Sequence, residues 1–385
     1  MRLYIAKRIV LFIPAVLLVV LFSFILLQQA PGNPVDRLMN MEGSYENEMT
    51  PGISNDALKK ELTHRFGLDL PVFYWSICSL QKCRLENHLS NFPLAAYIPS
   101  ISFYKKNQFH RWLFGDDEFS KGIIHGDFGI SWITGQNVYA LISPRIKWSF
   151  LFSLISIFFA YFISIPVGLH AAAHPGSRFD RWSTIFFMIL FSLPAFWLAT
   201  LLMLVFCNPD VLNILPSSGV SPTGGFPEGS SFTFIFLKSI PYLILPTFCY
   251  TYSSLAFLSA SVKAANTDIL KEDYIRTARA KGLPEKTILY RHAFRNSLLP
   301  MISIFSHVLP FAVSGSVLIE TIFTIPGMGL AIFQSLSSQD YPVIISVFMI
   351  TGVFTMAAFL VSDIVYAMVD PRISYNSNSV SRSLA

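Results

Sequence analysis

Six stretches of the chain are apolar enough and long enough to cross a bilayer: residues 9–29, 148–173, 183–207, 234–260, 298–322 and 342–368. About 20 mostly apolar residues in a helix cover the hydrocarbon core. Each stretch contains Pro, Gly, Ser or Thr, which spanning helices tolerate when neighbours satisfy the freed backbone groups. The pattern predicts an all-α polytopic membrane protein with six transmembrane helices and both termini on one side. A first helix (1–29) is followed by a long polar loop (30–147), a five-helix core (148–373) and a polar, disordered tail (374–385).

The polar stretches set the orientation, because Lys and Arg collect on the cytoplasmic side. "HPGSRFDRW" (174–182) carries Arg178 and Arg181, and residues 261–297 carry eight Lys or Arg, whereas 208–233 and 321–341 carry none. The termini and the two basic loops are therefore expected in the cytoplasm. Arg2, Lys7 and Arg8 precede the first span in the manner of a signal peptide. Its apolar run, Ile9 to Leu27, is longer than the usual ~7–15 residues, and "QQAPGNP" lacks a small-x-small cleavage site. An uncleaved first span is expected.

Loop 30–147 balances twelve basic residues with twelve acidic ones. It reads as a small extracytoplasmic cap domain, mostly helical. "SNDALKKELTHRFGLDLPVFYWS" (54–76) suggests an Asn- or Asp-capped helix, a Gly-Leu-Asp turn and a second amphipathic segment. The apolar pieces 70–80 and 91–104 are too short to span, and Pro93 and Pro99 interrupt the latter.

Composition narrows the classes. The chain has 385 residues, 53% of them hydrophobic and 13% charged, against roughly 25% charged in soluble domains. Lipid is the expected surround. The net charge of +5 is dispersed, with no aromatic-interleaved basic patch to suggest nucleic acid. Cys207 and Cys249 fall in apolar segments and read as packing residues. Cys78 and Cys83 lie close together in the first loop, open to a disulfide or, with His64 and His88, a metal site, although Cys-x4-Cys is not a strong zinc spacing. There is no G-x-x-x-x-G-K-[ST] phosphate loop, H-E-x-x-H or G-x-S-x-G. No catalytic residue, bound cofactor or ATP cradle is expected in this chain.

The most polar stretch between two spans is residues 261–300. Ala264 to Lys281 reads as a helix, with Asp268, Glu272 and Asp273 early and Arg276, Arg279 and Lys281 late, as the helix dipole favours. Gly282 suits a left-handed C-terminal cap, and Pro284 and Glu285 open a second helix to about Arg295. Thr277, Ala278 and Ala280 are small enough for another backbone to approach, and Tyr274 and Ile275 offer apolar anchors. Ile288, Leu289, His292 and Ala293 share one face of the second helix. Such a pair of short helices suits a docking knob, and equally an ordinary solvated loop. Among polar residues in or near the spans, Asp363 and His307 read as structural, and Glu320 and Lys238 as interfacial groups that snorkel to water.

Residues 273–300 resemble the cytoplasmic loop of bacterial ABC-importer permeases, whose pattern is Glu-Ala-Ala, three residues, Gly, then a distal Leu-Pro. The positions that match are Arg276, Thr277, Ala278, Gly282, Leu299 and Pro300, and the wording "RTARAKG" is that of the peptide-transport subclass. "APGNP" (30–34), "GDFGIS" (126–131), "SRFDRW" (177–182), "IPGMGL" (325–330), "DYPV" (340–343) and "DPRIS" (370–374) look like the same subfamily in the same order. The likeness is to the oligopeptide/dipeptide B-type subunit, including the longer-looped variety linked to microcin-type peptides. The stretch from Trp75 to Gly126, with both loop cysteines, is longer than the family usually has.

The resemblance implies a type I ABC-importer permease fold in a bacterial inner membrane. It also implies a second permease subunit, two separate ATPase subunits that hold the ATP, and an extracytoplasmic peptide-binding protein. Tyr274, Arg276, Thr277, Ala278, Arg279, Ala280, Lys281 and Gly282 would then form the ATPase-coupling element. In that reading the cations hold the knob, Ala278 and Ala280 permit a close fit, and Gly282 sets the elbow. Rival readings are an ion-driven secondary transporter, for which Asp363 is the lone supporting carboxylate, an importer of another cargo such as a nickel chelate, and a membrane enzyme.

Overall fold

The computed structural model describes residues 2–28, 32, 34–42, 55–79, 99–116, 121–222, 225–227, 230–297 and 316–369. The expected fifth span (mostly 298–315), the tail, His88, Cys83, His307, Leu299 and Pro300 lie outside the described residues, as do most of "APGNP" and all of "DPRIS". The chain divides into two compact units. One comprises Met1–Leu17, Pro144–Phe333 and Met349–Ala385, the other Leu18–Ser143 and Gln334–Phe348.

The elements in chain order are α1 (Arg2–Gln28), α2 (Pro34–Glu42), α3 (Asn55–Phe66), β1 (Trp75–Ser79), β2 (Pro99–Phe103), α4 (Gln108–Phe114), α5 (Val138–Ala173), α6 (Arg178–Ser192) and α7 (Ala195–Phe206). They continue as α8 (Phe232–Ile269), α9 (Asp273–Ala280), α10 (Glu285–Thr287), α11 (Val317–Ile322), α12 (Met328–Ser338) and α13 (Tyr341–Val369). Among the described residues, four helices are long and apolar enough to span, within α1, α5, α8 and α13. The fifth candidate is the pair α6 and α7, bent by 97°. Five of the six expected spans thus fall among the described residues, four as continuous helices and one as a broken pair, and the sixth, 298–322, lies mostly outside them.

The break replaces the single helix expected over 183–207. Pro194 has no N–H to donate and turns the chain at the start of α7. The carbonyl of Leu193, released by the bend, accepts a hydrogen bond from Tyr252 Oη on α8 at 2.8 Å. Irregular backbone at membrane depth requires this kind of repair. The hydroxyls of Thr251, Ser261 and Thr267 in α8 are returned to the helix itself, as Thr251 Oγ1 donates to the Thr247 carbonyl at 2.7 Å.

In the second unit the cap is not all helical. Strands β1 and β2 pair antiparallel, from Trp75 opposite Phe103 to Ser79 opposite Pro99. The second amphipathic segment expected after α3 is in fact β1. α4 begins at a true cap, Asn107, whose side chain accepts the His110 N–H at 2.7 Å. Rings join the pieces: Phe24 and Phe73 lie 5.3 and 5.2 Å from Phe109, and Phe66 stacks on Trp132 at 4.6 Å. Two stretches singled out in the sequence meet here. Asp340 of "DYPV" accepts hydrogen bonds from Ser131 Oγ of "GDFGIS" and from the N–H of Trp132. Burial pushes the Asp340 carboxyl above its ordinary value, against the pull of those donors. A cavity of about 490 Å³ lies between these rings and the ends of α1, α3, α4 and α13.

Candidate functional site

The basic segment is organised differently from the single helix over 264–281 expected from sequence. α8 itself runs on to Ile269, since "SVKAANTDI" offers no breaker, and the chain turns at Leu270–Glu272 before α9 starts. α9 is one short, strongly two-faced helix. Ile275 is fully buried and Ala278 nearly so, while Asp273, Tyr274, Arg276, Thr277, Arg279 and Ala280 are exposed.

The buried face packs on the chain's own core. Ile275 and Ala278 join Leu169 and Ala172 at the end of α5, Val262 and Leu270 at the end of α8, and Ile288, Leu289 and Ala293 beyond α10. The face read from Ile288, Leu289, His292 and Ala293 is therefore the inward one, with His292 at its edge. Two expectations are corrected. Ile275 anchors α9 to its own protein rather than to a visitor, and the close approach that Ala278 permits is intramolecular. Ala280 remains outward.

α9 ends where Gly282 takes φ +74°, and its N–H donates to the Arg279 carbonyl at 2.9 Å. After Pro284 the second helix opens as α10 and then widens into a π-helix, Ile288–Ala293, before returning to α-helix over 294–297. Polar contacts brace the outer face. Arg279 pairs with Glu285 across the turn at 2.7 Å, Arg276 with Asp273 at 3.3 Å, and Asn296 Nδ2 donates to Tyr274 Oη at 2.7 Å. Lys281 has no ion pair among the described residues. Tyr274, Arg276, Thr277, Arg279, Ala280, Lys281 and Gly282 are all exposed, whereas Ala278 is buried.

Two further contacts fix the platform beneath. Gly168 on α5 lies so close to α8 that a Cβ there would meet Val262 Cβ at 2.7 Å and the Ser259 carbonyl at 2.8 Å. Lys263 on α8 pairs with buried Asp180 in the first turn of α6, inside "SRFDRW". The Lys263 hydrogen bond holds the Asp180 carboxyl below its ordinary value. Burial opposes that shift, while the Gly176 N–H and the charges of Lys263 and Arg181 assist it.

A second polar centre lies elsewhere in the same unit and was missed in the sequence. Glu320, expected to snorkel, is fully buried. Its Oε1 accepts from Ser149 Oγ of α5 at 2.8 Å and from Tyr250 Oη of α8 at 2.9 Å, and its Oε2 from the Leu330 N–H at 3.0 Å. The available signal was the pair of glycines in "IPGMGL", whose backbone closes around this carboxylate. Among the described residues no group of three or more His, Cys, Asp or Glu is placed to hold a metal.

Long apolar helices, one broken span and a polar hairpin braced against two of the helix ends define a polytopic membrane protein. Residues 164–375 match the family described as binding-protein-dependent transport system inner membrane component. The chain belongs to this family. It is 33% identical to the oligopeptide transport system permease protein AppB of Bacillus subtilis (strain 168), over 97% of this chain and 100% of that one. It is 28% identical to the inner membrane ABC transporter permease protein YejB of Escherichia coli O157:H7, over 97% and 98%. It is also 28% identical to the di/tripeptide transport system permease protein DppB of Pseudomonas aeruginosa (strain UCBPP-PA14), again over 97% and 98%.

Proposed function

We propose that this chain is the membrane permease subunit of an ATP-driven peptide importer in a bacterial inner membrane, with both termini cytoplasmic. The hairpin α9–α10 is the element on which a separate ATPase seats. The observation that carries this reading is the division of α9 into two faces. Ile275 and Ala278 bolt it to the ends of α5 and α8, while Tyr274, Arg276, Thr277, Arg279, Ala280 and Lys281 face outward. A partner that displaces the outer face therefore displaces both long helices. A rigid hinge or shear motion of this kind is what alternating access requires.

A second permease subunit completes the pathway, a second ATPase seats on it, and an extracytoplasmic binding protein delivers the peptide. The relatives, oligopeptide and di/tripeptide permeases by name, support the cargo class. The test is purification of the tagged chain from detergent, followed by uptake of a labelled peptide into vesicles. The expected result is co-purification of an ATPase and a second permease, with uptake that stops without ATP. Uptake driven by an ion gradient alone, or by the isolated chain, refutes the reading. Transport of a nickel chelate in place of peptide corrects only the cargo.

A further inference from the structure

We propose that Glu320 is a positioning residue that bolts the segment 316–330 to α5 and α8, so that motion entering at α9 arrives at that segment without slack. This deepens the permease reading and rests on it.

The geometry is that of a hub. Ser149 Oγ donates to Glu320 and accepts the Met328 N–H at 2.7 Å. Tyr250 Oη donates to Glu320 and accepts the Ser316 N–H at 3.0 Å. With the Leu330 N–H bonded directly, three backbone donors of one segment converge on one carboxylate, two of them relayed by hydroxyls from two different helices. No Lys, Arg or His pairs with Glu320 among the described residues. A carboxylate buried without a cation is tolerable only when its oxygens are saturated by donors, and removing the donors is costly.

The segment is shaped to reach it. A Cβ at Gly327 would lie 2.6 Å from Ser149 Oγ and closer still to Glu320 Oε2, and one at Gly329 would lie 2.9 Å from Oε2. Only glycine at both positions lets the main chain close on the carboxylate. Thr324 takes φ +53° in the same turn, and the Ile325 N–H donates to the Glu320 carbonyl at 2.8 Å.

What separates a transmission role from simple packing is where the two bolted helices lead. α5 carries Ser149 at the hub and Leu169 and Ala172 beside α9. α8 carries Tyr250 at the hub and Val262 and Leu270 beside α9. From Tyr250 to the end of α8 is about 28 Å at the helical rise. The same two rods are held at both places, by oily packing at one and by one carboxylate at the other.

The experiment compares Glu320→Gln and Glu320→Ala in the assembled complex, in vesicles, measuring peptide uptake and ATP hydrolysis together. The Gln side chain keeps the size and one acceptor oxygen but sets an NH2 group against one of the donors, and uptake per ATP should fall by less than in the Ala variant. The Ala variant should lose about tenfold in peptide taken up per ATP hydrolysed, while ATPase subunits still co-purify and hydrolysis continues. An Ala variant with unchanged uptake per ATP overturns the proposal, whether its total activity is normal or uniformly reduced. Should the Ala variant fail to assemble, spin labels at exposed Leu318→Cys and Phe150→Cys in a cysteine-free background with Glu320 intact decide the matter. The distance should stay the same between nucleotide-free and ATP-trapped states, and a shift overturns the proposal. A wild-type complex that brings no ATPase fails at the earlier step and removes the permease reading itself.

Discussion

Replacing Gly282 separates two reasons for a glycine at the elbow of the hairpin. Its φ of +74° lies in the left-handed region, and a Cβ placed there meets nothing within 4 Å. Within this chain, then, the demand is conformational and not spatial. An L side chain in that region costs about 1–2 kcal/mol, more for a β-branched residue and least for Asn. Each ~1.4 kcal/mol is a tenfold shift in the population of the intact turn. Uptake should rank Gly, then Asn, then Ala, then Val, with Gly282→Asn within about threefold of wild type and Gly282→Val reduced at least tenfold. The assay is the initial rate of ATP-dependent peptide uptake, with ATPase co-purification measured in parallel and membrane insertion checked by quantitative blotting. If Asn and Val were equally damaging, the left-handed turn would not be the reason. A partner surface pressed against the bare backbone would be, and the conformational argument would fall.

Gly168→Ala should drive α5 and α8 apart where Val262 and Ser259 now touch the glycine, costing about 1–3 kcal/mol. A lowered thermal midpoint in detergent checks this, and an unchanged midpoint would show that the helices yield freely there. Asp180→Asn should cost about 1–3 kcal/mol by removing the charge-assisted bond to Lys263. Because the Asp180 carboxyl is held below its ordinary 3.8, its stabilisation is present above that value and lost as pH falls through the lower folded-state pKa. The wild type should therefore lose more stability than Asp180→Asn on acidification, and parallel pH profiles would contradict the pairing.

The spans legible in the sequence were those whose apolar run and helix coincide. α1 and α13 lie within a few residues of 9–29 and 342–368 once the polar start of α1 is set aside. α5 and α8 outrun their apolar runs because "VYALISPRIK", interrupted by Arg145 and Lys147, and the polar "SVKAANTDI" are helix-compatible, and hydropathy marks where lipid ends, not where hydrogen bonding does. The break at Pro194 was in view but ambiguous, since spanning helices tolerate Pro. β1, "WSICS", alternates as a strand does, but five residues are too few to outweigh the amphipathic reading around them. At the candidate site, Gly282 and the cationic stretch were readable from local chemistry. Which face of α9 is inward was not, because it depends on Leu169 and Ala172, more than a hundred positions earlier in the chain. Glu320 was least legible of all. A carboxylate near a predicted interface is ordinarily solvated, and only the fold brings Ser149 and Tyr250 to it.

The elbow between α6 and α7 limits where this protein can bend. Tyr252 must stay against the Leu193 carbonyl, or a bare peptide oxygen faces lipid, and Lys263 must stay on Asp180. On α8 these attachments are eleven residues apart, about 16 Å along the axis. Two rivets at that spacing forbid α6 from swivelling on α8, so the pair travels as one plank and any flexing is left to joints outside it.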